Sequence, residues 1–321
     1  MKAAWYERQG PARDVLIVGE MPDPQPLAGE VRIRVTASGV NPGDVKKRED
    51  AFGVGMPYAR VIPHSDGAGT VDAIGEGVSK EWLGRRVWCY GAQSYRPFGT
   101  AAEYVVVPVK QVAPLPDGVP MEQGACLGIP GITAHRTVHV AGSVEGRTVL
   151  VQGGAGAVGA CAVQFAHRAG ARVIATCRTE SDKDIASRAS ADEVFLTDAT
   201  LAEHIHRAAP DGVDHIVEVA FAANIKTDIE VLAQGSSIAT YATNIPIAEI
   251  PSGNSSLLTP DCSSSAVMMF RPKRRVKPLR TSIAHSKPAG RALTSRNGSR
   301  STTSQRPTSS SSIRRGPAEF L

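Results

Sequence analysis

Between Gly154 and Gly159 three glycines stand in the spacing Gly-x-Gly-x-x-Gly, as GAGAVG, directly after the apolar run TVLVQG. That spacing suits a turn that holds phosphate. Gly154 permits a tight turn, Gly156 lets the backbone approach a pyrophosphate, and Gly159 lets a helix pack closely on a strand. The helix that starts there offers unbonded N–H groups and the positive end of its dipole. A dinucleotide is the expected ligand, and a purely structural turn is the alternative. About 20 residues on, an Asp or Glu would accept the ribose 2′-hydroxyl of NAD. Here the next strand ends IATCRTESDK, with Thr176, Cys177 and Arg178 where the acid would stand. Arg178 and Lys183, with Ser181 between them, suit a 2′-phosphate instead. The expected cofactor is NADP(H); the other reading of these charges is a solvated loop.

Such a turn needs a strand before it and a strand–helix series after it. TVLVQG, ARVIATC, ADEVFLT, VDHIVEVA and GSSIATYAT supply strands, with helical stretches between them. Alternating strands and helices predict an α/β fold, a doubly wound parallel sheet covered on both faces. The earlier part reads differently. EVRIRVTASGV, GAGTVDAIGEGV and AAEYVVVP are short runs bounded by Gly and Pro, the pattern of a β-rich barrel or sandwich. Between the two, MEQGACLGIPGITAHRTVHVAG predicts a helix of small residues opened by a Gly/Pro bend.

Composition narrows the class. With 321 residues, 42% hydrophobic and 21% charged, the chain has the make-up of a two-domain globular protein. No stretch of about 18 apolar residues predicts a membrane span, and MKAAWYERQG lacks the apolar core of a secretory signal. Five scattered cysteines without a CxxC pair predict reduced thiols and a cytoplasmic setting. The net charge of +5 hides an asymmetry: residues from Ser252 onward carry 13 of the 36 Lys+Arg but 2 of the 31 Asp+Glu. That segment also holds 16 Ser in 70 residues and no sustained apolar period, so it is expected to lack regular structure. Read as a nucleic-acid arm it would bind in a salt-dependent way, but it has neither interleaved aromatics nor a recognisable motif.

These stretches resemble the medium-chain dehydrogenase/reductases, and among them the zeta-crystallin type of NADPH:quinone oxidoreductase. The resemblance spans about Met1 to Pro251. It rests on MKAAWYERQGPARDVL, GEVRIRVTASGVNPGDVKKR, IPHSDGAGTVDAIGEGV, LGIPGITAHRTV, the glycine turn and GVDHIVEVAFAANIKTDIEVLAQG, in that order. It implies a GroES-like domain over residues 1–122, a Rossmann domain over 123–251, and a tail over 252–321. Zinc enzymes of the superfamily ligate their metal through a Cys and through the His of Gly-His-Glu. Here Asn41 and Ser65 hold those places, His64 lies one place off, and the cysteines of a structural zinc site are missing. Tetrahedral zinc needs three or four placed ligands, so no metal is expected.

By the same resemblance, Asn41 lies beside the nicotinamide and bonds its carboxamide or an acceptor oxygen. Lys46 stands where relatives often carry a cofactor-contacting Tyr, or is a solvated lysine. Ala155, Gly156, Ala157 and Val158 would give N–H donors to the pyrophosphate, and Arg178 would meet the adenosine phosphate. Asn224 and the strand end Thr240, Tyr241 and Ala242 match further cofactor contacts, with a helix cap the alternative for Asn224. No general acid is singled out. The implied reaction is hydride transfer from NADPH to a quinone or activated enone, in a homodimer. A cofactor-binding protein with a structural or RNA-binding role is the competing function.

The family would continue past Pro251 with further strands and helices. Codon arithmetic offers a reason for the change. Met268-Met269-Phe270 must be encoded ATG-ATG-TTY, and reading one base earlier turns RPKRRVKPLR into a permitted Ala/Glu-rich helix. A displaced reading frame after Pro251 is therefore expected, leaving the sheet with an unpaired edge and the activity of the chain as written in doubt.

Overall fold

The computed structural model describes residues 1–51, 53–94, 96–242, 256–258 and 268–271. The chain begins with a hairpin of β1 (Lys2–Trp5) and β2 (Ile17–Glu20), joined through α1 (Ala12–Val15). Then come β3 (Glu30–Gly39), α2 (Pro42–Arg48), β4 (Asp66–Ile74), β5 (Arg86–Cys89), β6 (Tyr104–Pro108) and β7 (Val112–Pro114). The last five strands form an antiparallel sheet in the order β6-β3-β4-β5-β7. Alternation along β3 turns Val31 and Ile33 inward, where they meet Val71, Val87, Val105 and Val107. Their partners across the sheet are set by register: Val31 faces Val107, and Ile33 faces Val105 and Val71.

A linker of α3 (Met121–Ala125), a π-helical turn over Leu127–Gly131 and α4 (Ile132–His139) leads to the second sheet. The Gly/Pro bend expected here is that π-turn, with Pro130 inside it. The remaining elements are β8 (Thr148–Val151), α5 (Ala157–Arg168), β9 (Arg172–Cys177), α6 (Glu180–Arg188), β10 (Glu193–Leu196), α7 (Leu201–Ala208), β11 (Val213–Glu218), α8 (Phe221–Val231), β12 (Leu232–Thr240), β13 (Ser256–Leu258) and β14 (Met268–Arg271). Strand order is β10-β9-β8-β11-β12-β14-β13. The first five strands are parallel.

Successive residues of the parallel strands serve opposite faces, which is why their sequences are continuously apolar. Val149, Val151, Val173, Ala175 and Val217 pack with Ala162, Val163 and Ala166 of α5. Leu150, Ile174, Ile216 and Ile238 pack with Leu201, Ile205, Ile225 and Ile229 of α7 and α8. Helices on both faces make the sheet doubly wound, as the alternation predicts.

Two expectations about the region after Pro251 need correction. β12 is not left as an unpaired edge: β14 pairs with it antiparallel, Ile238 opposite Phe270, and β13 pairs with β14. Regular structure therefore recurs within 252–321, because any strand offering an alternate backbone ladder satisfies the N–H and C=O groups on that side of β12. The other residues of the expected tail lie outside the described residues.

Where β4 crosses β3, Gly69 admits no side chain: a Cβ there would lie 2.0 Å from the Arg34 carbonyl oxygen. Gly69→Ala is expected to lower the unfolding free energy by about 1–3 kcal/mol, the usual cost of overpacking. Gly43→Ala, with nothing within 4 Å of its Cβ, is expected to cost nothing. Urea midpoints of the two variants check this contrast.

Candidate active site

The glycine turn is built from β8 outward. The tight turn falls on Gly153, with φ +70°, and not on Gly154 as the sequence suggests. Gly154 is required for packing, because a Cβ there would come 2.7 Å from the Cβ of Ala175 on β9. At Gly159 a Cβ would sit 2.0 Å from the Gly153 carbonyl oxygen, so this helix start closes on its own turn. Gly156 differs from both. It is exposed, and the nearest protein atom to its would-be Cβ is 3.4 Å away. The space it keeps open lies outside the protein, where a ligand would approach. Gly156 caps α5, so Ala157, Val158 and Gly159 begin the helix with N–H groups that have no intrahelical carbonyl.

Polar bonds tie this turn to the carboxyl ends of β9, β11 and β12. Gly153 N–H donates to Thr176 Oγ1 (3.1 Å) and Gly154 N–H to the Thr176 carbonyl (2.8 Å). Thr176 Oγ1 donates to Gln152 Oε1 (2.7 Å), and Gln152 Nε2 donates to Asp228 Oδ1 (2.8 Å). Burial first, then the neighbouring Glu218, raises the Asp228 carboxyl well above its ordinary range. Glu218 accepts from the Ala220 N–H and from Asn224 Nδ2 at 3.1 and 3.2 Å.

Asn224 is thus no helix cap. Ala220 caps α8, and Asn224 sits a turn inside it, aimed at Glu218. Tyr241 N–H donates to the Glu218 carbonyl (3.1 Å), Thr240 Oγ1 to the Ala242 carbonyl (3.2 Å), and Phe221 N–H to the same Ala242 carbonyl (3.3 Å). Asn224, Thr240, Tyr241 and Ala242 are therefore brought together at one end of the sheet. Arg178 follows β9 directly and is exposed, with no carboxylate paired to it among the described residues. Ser181 Oγ bonds Thr179 Oγ1 (2.9 Å), and Lys183 pairs with Glu180 (2.9 Å) at the start of α6.

Asn41 belongs to a second polar cluster, in the antiparallel lobe. It caps α2, and its N–H donates to Asp44 Oδ2 (2.8 Å). Its Nδ2 donates to Asp66 Oδ2 (2.8 Å), which also accepts the Ile129 N–H from the π-turn (2.7 Å). Asp66 is fully buried. Gly128 presses against its other oxygen, where a Cβ would come within 2.1 Å of Oδ1. Asp66 Oδ1, Asp44 Oδ1 and Ser65 Oγ are buried and have no hydrogen-bond partner among the described residues. Burial pushes the Asp66 carboxyl up to about 6, against the pull of the Ile129 N–H and the Asn41 amide. Burial likewise raises Asp44, opposed by the Asn41 N–H, His64 and Lys47.

Lys46 is exposed on α2, whereas its neighbour Lys47 turns inward. Lys47 Nζ donates to Gln93 Oε1 (2.9 Å), and burial lowers its ammonium while Asp44 and Asp66 pull it back up. Sequence alone does not separate the two lysines, since one residue is a rotation of about 100° around a helix. Asp44, Lys47, Gln93 and Asp66 are missed by motif reading. The signal available for Asp66 is its place directly after Ser65, which aligns it with the acid of Gly-His-Glu.

Residues 27–117 match the alcohol dehydrogenase GroES-like domain family, and residues 157–278 match the family described as zinc-binding dehydrogenase. The second match runs past Pro251, where the resemblance read from the sequence stops. Quinone oxidoreductase of Mus musculus is 34% identical over 231 residues, covering 70% of this chain and 68% of that protein. Quinone oxidoreductase of Lama guanicoe is 31% identical over 250 residues, covering 77% and 73%. A mycobacterial protein solved with NADPH superposes with a TM-score of 0.67 at 29% identity, covering 78% of this chain and 76% of that one. Quinone oxidoreductase of Thermus thermophilus, solved alone and with NADPH, gives 0.62 at 30%, covering 74% and 72%. The chain belongs to the medium-chain dehydrogenase/reductases, in their zeta-crystallin-like quinone oxidoreductase branch.

The zinc in one family description does not fit these residues. Asn41 commits its amide to Asp66, Ser65 offers a hydroxyl, and no group of three or more His, Cys, Asp or Glu is arranged around a metal among the described residues. No helix among them is long and apolar enough to cross a membrane.

Asp66 makes a pH prediction. Its carboxyl moves from 3.8 to about 6 on folding, so between those values the folded chain holds a proton that the unfolded chain has released. Stability therefore falls as pH rises through that window and stays lower above it. Asp66→Asn is expected to gain up to about 3 kcal/mol over wild type at pH 7, with the gain vanishing below about pH 4. Denaturation midpoints across pH 3.5–7.5 check it.

Proposed function

We propose that this chain is an oxidoreductase that uses NADPH to reduce a quinone or an activated enone, without zinc. The observation that carries this reading is the open glycine turn together with Arg178, which has no paired carboxylate among the described residues and stands at a strand end where NAD-type sites carry an acid. When bound, NADPH supplies hydride. The N–H groups of Ala155, Ala157 and Val158 hold its pyrophosphate, whereas the Gly156 N–H, also expected there, is spent on the Gly153 carbonyl (3.0 Å); Arg178, with Ser181 and Lys183 close in sequence, holds the 2′-phosphate. Asn224, Thr240, Tyr241 and Ala242 line the carboxyl end of the sheet where the nicotinamide half lies. Asn41 orients the carboxamide or the acceptor oxygen, its own orientation set by Asp66. Lys46 contributes no more than surface charge.

Alcohol oxidation asks for a Lewis acid to manage the alkoxide. Quinones and enones are already electrophilic, so placing them against the hydride donor supplies much of the acceleration. In the same reading the chain is a cytoplasmic homodimer, with the lobes dividing near residue 122. A displaced reading frame after Pro251 remains part of it, and sequencing the DNA across codon 251 decides that point.

NADPH and NADH oxidation, measured over quinones, 2-alkenals and simple alcohols with and without chelator, tests the reaction. Quinone- or alkenal-dependent NADPH oxidation indifferent to chelator is expected. Tight NADPH binding with no acceptor-dependent oxidation would favour a binding protein instead. Arg178→Ala is expected to weaken NADPH by about 10- to 100-fold, the worth of a charge-assisted bond, and to leave NADH affinity nearly unchanged. Fluorescence titration of both nucleotides measures it.

A further inference from the structure

Hydride delivery leaves the reduced acceptor with a negative oxygen that must take up a proton. His64 lies in the Asn41 cluster and is so far unused. Its backbone has φ +75°, a left-handed conformation that disfavours any residue but glycine. The backbone is held there by others: Thr100 N–H donates to the His64 carbonyl (3.0 Å) and Ala101 N–H to the Pro63 carbonyl (3.2 Å). Glycine would satisfy this turn, so the imidazole is retained at a cost.

The ring is also set by its neighbours. Thr100 Oγ1 donates its one hydrogen to the Asp66 carbonyl (2.6 Å). In the Ser38 Oγ–Thr100 Oγ1 contact (2.8 Å) Ser38 must then be the donor, which spends its one hydrogen. The contact between His64 Nδ1 and Ser38 Oγ (2.9 Å) is left with the ring N–H as its donor. Because the string ends on a peptide carbonyl, neutral His64 carries its proton on Nδ1 and keeps the lone pair on Nε2. Burial lowers the His64 imidazolium, and Asp44 of α2 pulls it back up; Asp44 has a buried Oδ1 with no hydrogen-bond partner among the described residues. Lys47 of the same helix acts on Asp44, and Asp44 acts in turn on Asp66 of β4 and, with Arg48, on Tyr6.

We propose that His64 is the acid of the reductive step: protonated at Nε2 and steadied by Asp44, it donates to the oxygen left negative by hydride delivery. This rests on the proposed function. Both electrons arrive with the hydride; the Nε2–H bond breaks as the acceptor's O–H bond forms, and the neutral ring recovers a proton from water.

The test uses the full chain with His64→Gly, His64→Gln and Ser38→Ala. Nitrogen-15 NMR of the ring is expected to show Nδ1 protonated and Nε2 bare at pH 8, with Ser38→Ala abolishing that preference. His64→Gly should be at least as stable as wild type and bind NADPH with unchanged Kd. Its kcat should fall about 100-fold or more, the usual worth of a positioned acid, and recover with added imidazole, whereas His64→Gln should not recover. A ring protonated at Nε2 in neutral wild type, or a His64→Gly variant with wild-type kcat, overturns the inference. The wild-type rate and NADPH affinity report on the proposed function by themselves, and the ring tautomer is read without turnover.

Discussion

A single buried carboxylate oxygen, Asp66 Oδ2, joins three parts of the chain that lie far apart in sequence. It takes one hydrogen from the Asn41 amide at the start of α2 and another from the Ile129 N–H in the π-turn. Asp66 itself opens β4. Two bonds to one charged acceptor fix where the α2 cap, the central antiparallel strand and the linker stand relative to each other. Such bonds are worth more than neutral ones in a dry setting, yet here they only partly repay the loss of hydration, as the raised carboxyl shows. The fold spends stability to hold Asn41 in one orientation.

The glycine turn works by the opposite means, through what is missing. Gly153, Gly154 and Gly159 are demanded by backbone conformation and by packing inside the protein, while Gly156 is demanded by nothing inside it. Below the turn, the string from Thr176 through Gln152 to Asp228 Oδ1 satisfies buried polar groups that would otherwise oppose a tightly packed sheet end, leaving Asp228 Oδ2 without a hydrogen-bond partner among the described residues. Backbone donors face outward and side-chain polarity is kept beneath.

Much of this was legible in the residues. Continuous apolar runs such as TVLV and RVIATC told of a sheet covered on both faces, and GAGAVG placed the turn between strand and helix. The motif did not tell that Gly153, just outside it, makes the turn, since glycine spacing does not reveal which member takes a positive φ. The Asn41 cluster was legible only at Asn41. Asp44, Lys47, Gln93 and Asp66 come from separate elements, and their meeting depends on tertiary packing that no local period encodes. The strands at 256–258 and 268–271 were missed because Ser-rich composition argues against order, while pairing to β12 depends on a partner remote in sequence.

The π-helical turn carries one consequence for how this lineage tolerates change in length. A π-turn holds an extra residue relative to regular helix, and Leu127–Gly131 is such a turn. Removing one residue there would let the segment relax into ordinary helix with no loss of helical character. α4 beyond it would keep nearly its present facing, because a π-turn absorbs its added residue locally, but the amide now offered by Ile129 lies inside the turn and would no longer meet its carboxylate. Insertions and deletions are therefore restricted at this joint far more than its small, apolar sequence suggests.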